Sequence, residues 1–179
     1  MAKFTTRKIA FSAVIGALYA ALTMALAFIS YGSIQFRVAE ALCILPFFFP
    51  STAWGLFVGC VIANLISAYG IVDILFGSLA TLLSVMVTAW LGTKKRDGIT
   101  IKILACLPPV VFNGIIIGAV ISAATTPGAF WQGMLINGLE VAGGELAVMM
   151  LLGLPLMIYL PKTKLFAFME RELGENGRQ

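Results

Sequence analysis

The sequence predicts an all-α integral membrane protein with six transmembrane helices, and three observations carry that prediction. The chain of 179 residues is 60% hydrophobic and only 11% charged, where a soluble domain carries about 25% charged residues. The mean hydropathy is +1.01. The apolar residues fall into six runs, at roughly 9–29, 38–50, 53–68, 72–91, 102–124 and 132–160. No polar run is long enough to fold a soluble domain, so residues 1–179 read as a single membrane domain.

The first run follows the basic stretch MAKFTTRK and is about twenty residues long. That exceeds the core of a signal peptide and matches a retained helix across a ~30 Å hydrocarbon layer. The second run is short and contains Pro46, so it reads as a short or re-entrant span. The turn Pro50–Ala53 makes a tight hairpin into the third run, which is marginal in length. The fourth, fifth and sixth are long enough to cross. The tail after Leu165 reads as a charged helix that frays.

Charge fixes the count. Lys3, Arg7 and Lys8 precede the first run, Lys94, Lys95, Arg96 and Lys102 separate the fourth from the fifth, and Lys162, Lys164, Arg171 and Arg178 follow the sixth. With six crossings all of these lie on one side and only Arg37 is elsewhere. The positive-inside rule then predicts both termini in the cytoplasm. The net charge of +4 is thereby explained without nucleic acid.

Polar residues converge at one level. Counted from the outer ends of their helices, nearly all of Glu40, Asn64, Asp73, Asn113, Asn137 and Glu140 fall in the outer half of the bilayer, with Asn113 near the middle of its run. Asn137 and Glu140 are spaced i, i+3 and share a face with Gly133 and Gly144, while Glu145 lies deeper and is rotated by about 140°. An ionisable side chain inside a membrane marks a functional site by default. Glu40, Asp73, Glu140 and Glu145 face a single basic residue, Arg37. That acid excess suits a donor-rich or cationic ligand. Tyr31, Phe36, Tyr69, Phe130 and Trp131 lie near the same level and can stack on a flat ring. The predicted site is a pocket, open to the outside, for a planar small molecule bearing several N–H groups.

Each residue also has a structural reading. Arg37 and Glu40 can form an ion pair at a helix end, and Asp73 can cap a helix N-terminus. Asn64 and Asn113 can bond between helices, and Tyr31 and Trp131 can belong to an interfacial aromatic belt. Cys43, Cys60 and Cys106 lie in apolar runs without metal-ligand spacing and read as packing residues. On the first helix, Ala13, Ala17 and Ala21 recur every four residues beside a second row, Ser12, Gly16 and Ala20. Such a face lets another helix approach closely, either within the bundle or from a partner.

The stretches IQFRVAEAL, LPFFFP, WGLFVGC, IAN and VDILFGSLATLLS, in order through residues 34 to 84, resemble the QueT family. The block ELAVMMLLGLPL adds a less distinctive match. QueT proteins are the substrate-binding S components of energy-coupling factor (ECF) transporters for queuosine precursors. The resemblance implies the six-helix S-component fold and capture of queuosine, queuine or a related deazaguanine from outside. It implies docking, through Ala13, Gly16, Ala17 and Ala21, on a membrane scaffold protein and two cytoplasmic ATPases. It also implies that the loop around residues 31 to 42 closes over the ligand, with Arg37 and Glu40 at the pocket rim. ATP would then be hydrolysed by the partners, since this chain has no P-loop and needs no cofactor. The localisation is the bacterial cell membrane.

Two rival classes exist. An ion-coupled secondary carrier for a small polar or cationic solute would use buried acids as proton relays, but no internal repeat is visible. A membrane enzyme is disfavoured, because the chain has no histidine and Asp97 lies in a basic loop away from Asp73.

Overall fold

The computed structural model describes residues 5–31, 35–67, 69–94 and 98–174, so Lys3, Lys95, Arg96, Asp97 and Arg178 lie outside it. Among the described residues the secondary structure is helical, with no strand. Helix α1 spans Thr6–Ala25, and the Thr5 hydroxyl caps it by accepting from the Lys8 amide. After a break at Leu26, α2 covers Ala27–Ser30. A 3₁₀ segment, Val38–Ile44, then runs into the short α3, Leu45–Phe48. Helices α4 (Thr52–Asn64), α5 (Ile71–Gly92) and α6 (Ile99–Thr125) follow. The last apolar run is α7 (Phe130–Val148), a π-helical turn Met149–Gly153, and α8 (Leu154–Tyr159). Helix α9 spans Lys164–Leu173 and stops at Gly174, whose φ of 57° suits a residue without a Cβ.

Four helical stretches are long and apolar enough to cross a membrane: Thr6–Ala25, Ile71–Gly92, Ile99–Thr125 and Pro127–Lys162. The second and third predicted runs are shorter apolar helices, Val38–Phe48 and Thr52–Asn64. Helix α1 packs on α4, α4 on α5, α5 on α6 and α6 on α7, and the 3₁₀ segment sits inside this array, touching all five.

Prolines within the long helices are accommodated by identifiable partners. Pro109 has no N–H for the Ala105 carbonyl, and the Thr88 hydroxyl donates to that carbonyl at 3.3 Å. Pro155 likewise has none for Leu151, and the chain loosens into the π turn there.

Ser12, Gly16 and Ala20 are buried, and a Cβ on Gly16, Gly55 or Gly59 would collide with facing backbone. The Ser12 hydroxyl donates to the Ser51 carbonyl and accepts from the Gly55 amide, each at 2.9 Å. The two rows on α1 thus differ. One packs within the bundle, whereas Ala13, Ala17 and Ala21 are exposed.

Helix α9 does not fray within the described residues. It buries Phe166, Met169 and Leu173 against Phe48 and Phe49, with ring centroids of Phe166 at 5.3 and 5.1 Å from them. Arg7 approaches Glu172 at 3.8 Å, so the start of α1 and α9 share one end, called basal here. The opposite, distal end carries residues 26–31, 35–37, 65–67, 69–70 and 126–129.

Candidate ligand-binding site

The segment 35–37 explains how a polar group enters the interior. It is non-helical, and Gln35 has a φ of 48°, a left-handed conformation rare for a residue with a side chain. Irregular backbone at membrane depth is tolerated where it is enclosed by protein or lines a cavity. The seven-residue 3₁₀ run that follows is longer than the three or four usual for such helices. It turns Arg37 and Glu40 inward.

Arg37 and Glu40 are 1% and 0% exposed. They do not form a rim at the outer surface. The Tyr19 hydroxyl, two-thirds of the way along α1 from its basal end, donates to Glu40 Oε1 at 2.5 Å. Cys43 Sγ donates to Glu40 Oε2 at 3.0 Å, and Thr81 Oγ1 lies 3.5 Å from Oε1. Arg37 Nη1 is 3.9 Å from Glu40 and 4.0 Å from Cys60 Sγ, and its guanidinium sits 5.5 Å from the centre of the Tyr31 ring. Tyr31 in turn donates to the Ala63 carbonyl at 2.5 Å.

Two walls flank this centre. On one, Asn64 Nδ2 donates to the Asp73 carbonyl at 3.1 Å and lies 3.4 Å from Cys60 Sγ. Asp73 is buried in the first turn of α5, but its carboxylate caps no backbone N–H. On the other, Asn113 Nδ2 on α6 donates to Glu145 Oε1 on α7 at 3.0 Å. Glu145 is fully buried, within electrostatic reach of Glu40 and Arg37.

Hydrogen-bond satisfaction is incomplete here. Arg37 Nε and Nη2, Gln35 Nε2, both Asp73 oxygens, Asn64 Oδ1, Asn113 Oδ1 and Glu145 Oε2 are buried and make no hydrogen bond among the described residues. Buried polar groups are paired in more than nine cases in ten, and a lost partner costs about 1–3 kcal/mol. Donors and acceptors left open in the same interior as one arginine are capable of pairing with a polar guest. Among the described residues no group of three or more His, Cys, Asp or Glu gathers as a metal site.

The structure therefore brings together Arg37, Glu40, Asn64, Asp73, Asn113, Glu145 and Tyr31. It leaves four of the predicted residues, Glu140, Asn137, Trp131 and Phe36, outside this set. Glu140 is exposed on α7, because it lies just past the edge of that helix's buried face. Asn137 is half-buried and donates to Ser122 on α6 at 2.9 Å, which is helix-to-helix bonding. Trp131 is 78% exposed and lines an apolar groove of about 530 Å³ between α6 and α7. Phe36 is half-buried next to Arg37, Tyr69 packs on Ile117, Ile121 and Val141, and Phe130 meets Trp131 edge-on. Gly16, predicted at a docking face, is buried against α4.

Sequence reading missed Tyr19, Cys43, Cys60 and Thr81, which hold Glu40 and Arg37 in place. The one usable sign was Tyr19, the only phenol in the first apolar run.

Long apolar helices with polar side chains buried between them define a multi-pass membrane protein. The chain belongs to the QueT transporter family, whose sequence model matches residues 9–162. It is 43% identical over 84 residues to the queuosine precursor transporter QueT of Lactococcus lactis subsp. cremoris (strain MG1363). That match covers 46% of this chain and 49% of the relative, so it spans about half of each. No solved structure matches the chain.

Proposed function

We propose that this chain is the substrate-capture subunit, or S component, of an ECF-type importer and binds a queuosine-related deazaguanine. Family membership gives the class. The observation that carries the ligand reading is the set of open donors and acceptors around Arg37. Glu145 Oε2 and Asn113 Oδ1 are acceptors suited to the adjacent ring N–H and amino groups of a guanine-like edge. Arg37 Nε and Nη2 are donors suited to its carbonyl. Queuosine, queuine and their deazaguanine precursors share that edge.

In this reading the chain crosses the membrane six times with both termini in the cytoplasm. The basal end carries Arg7, Lys8, Lys94, Lys102, Lys162, Lys164 and Arg171, which the positive-inside rule assigns to the cytoplasm. The distal end then faces outside, where ligand enters. The 3₁₀ rise of about 2.0 Å per residue helps the short second span reach the interior. The chain itself catalyses nothing and holds no cofactor; ATP is hydrolysed by two cytoplasmic partner ATPases, and a membrane scaffold protein joins them to this chain.

The docking face is the exposed row Ala13, Ala17 and Ala21, beside an α1–α4 groove of about 320 Å³ edged by Trp54. Ala17→Trp blocks close helix approach there, so transport should be lost while ligand binding by the isolated chain survives. Binding that falls along with transport would remove the docking role from this row.

The binding test is calorimetric titration of the purified chain with queuosine, queuine, the aminomethyl and cyano deazaguanines, and guanine. Glu145→Gln should weaken the tightest of these by about tenfold to hundredfold, the equivalent of roughly 1–3 kcal/mol. No binding of any of these compounds by the wild-type chain overturns the reading.

A further inference from the structure

Asp73 differs in kind from the two deeper acids. Glu40 is engaged through both oxygens by Tyr19 and Cys43. Glu145 already accepts from Asn113. The Asp73 carboxylate accepts from nothing among the described residues, although it is 0% exposed. Its neighbour Asn64 directs its amide N–H groups at the Asp73 carbonyl and Cys60, which leaves Asn64 Oδ1 open as an acceptor. The two side chains meet over Gly77, where an added Cβ would lie 2.7 Å from Asn64 Nδ2 and 2.9 Å from Asp73 Oδ1. Both Asp73 oxygens and Asn64 Oδ1 are thus acceptors without a hydrogen-bond donor among the described residues, on two side chains that adjoin at Gly77. Arg37 is within electrostatic reach but pairs with Glu40 at 3.9 Å, so the Asp73 carboxylate has no ion-pair partner among the described residues.

The levels of these groups can be set from contacts. A Cβ on Gly77 would touch the end of the Ile117 side chain at 3.5 Å, so α5 at residue 77 and α6 at residue 117 are level. Asp73 lies one turn distal of that level and Asn113 one turn basal. They are about two turns, roughly 11 Å, apart along the axis.

We propose that Asp73 and Asn64, over Gly77, form the seat of an ammonium group carried on an arm of the ligand, distal to the ring site at Arg37, Asn113 and Glu145. The assignment rests on the deazaguanine reading and deepens it. A carboxylate in a water-poor site favours a cation there far more than a neutral group of equal size. A secondary amine fits the same seat, with any larger substituent directed to the distal mouth.

The test compares the aminomethyl deazaguanine, which is cationic, with the cyano deazaguanine, which is neutral, by calorimetry on the full chain. Wild type should prefer the aminomethyl compound by at least about tenfold. Asp73→Asn should abolish that preference, weakening the aminomethyl compound by about tenfold or more and the cyano compound by less than about threefold. Gly77→Ala, which crowds the same two side chains without touching the charge, should erode the preference in the same direction and serves if Asp73→Asn does not fold. Equal losses for both compounds, or a preference intact in both variants, would overturn the seat while leaving the deazaguanine reading standing. A wild-type chain that binds neither compound overturns both.

Discussion

The basal core and the distal interior are buried to the same degree but built on opposite terms. At the basal end Phe48, Phe49 and Phe166 stack within about one ring diameter of each other, and Met169 and Leu173 close the gaps. The polar groups buried there are satisfied: Ser12 bridges Ser51 and Gly55, and Thr52 donates to the Phe49 carbonyl at 2.8 Å. In the distal interior, Asp73, Asn64, Asn113, Glu145 and Arg37 each keep at least one buried polar atom open. One region holds the helices together and seals one end. The other leaves hydrogen-bonding capacity unused among the described residues, which is the basis of the proposed ligand site.

The contrast is sharpest in stability. Phe166→Ala removes a fully buried ring from the basal core and should destabilise the protein by about 3–5 kcal/mol. Ligand affinity of the folded fraction should stay within about threefold of wild type. Glu145→Gln should do the reverse, leaving stability close to wild type, because it keeps the side-chain volume and an oxygen that can accept from Asn113. Thermal unfolding in detergent, run beside calorimetry, reads both. A Glu145→Gln variant that unfolds as easily as Phe166→Ala would make Glu145 a structural residue and end the distinction between the two regions.

How much of this was legible in the sequence follows from which forces act locally. Helix existence was readable because hydropathy and span length are local properties, and the four long stretches appear near where the apolar runs lie. The family blocks within 34–84 were readable because short motifs keep their spacing. Depth was less readable. Counting inward from helix ends treats every helix as starting at the same level, and the second span does not. Its chain descends through residues 35–37 before any helix begins, so Arg37 and Glu40 end up central. Facing was least readable, since a periodicity places residues on a stripe without saying which neighbour the stripe meets. The row Ser12, Gly16 and Ala20 and the row Ala13, Ala17 and Ala21 look alike in sequence, and only α4 distinguishes them.

The same limit governs the smallest effect, at Glu140. By sequence it is the acid that shares a face with Asn137 and sits two to three turns into the last span. In the structure Asn137 turns to Ser122, the buried side of α7 continues through Val141, Gly144, Glu145 and Val148, and Glu140 is left exposed beside it. An exposed carboxylate is free to meet water or a partner and is under no requirement to find donors on a ligand. Glu140→Gln should therefore change the affinity for the tightest deazaguanine by less than about threefold, against the tenfold or more expected for Glu145→Gln. Both variants conserve side-chain volume and differ only in which face of α7 they alter. If Glu140→Gln instead weakens binding as strongly as Glu145→Gln, the ligand reaches beyond the buried interior to the open edge of α7. The site would then extend sideways along that helix, and the division between a satisfied core and an open chamber would have to include its exposed face.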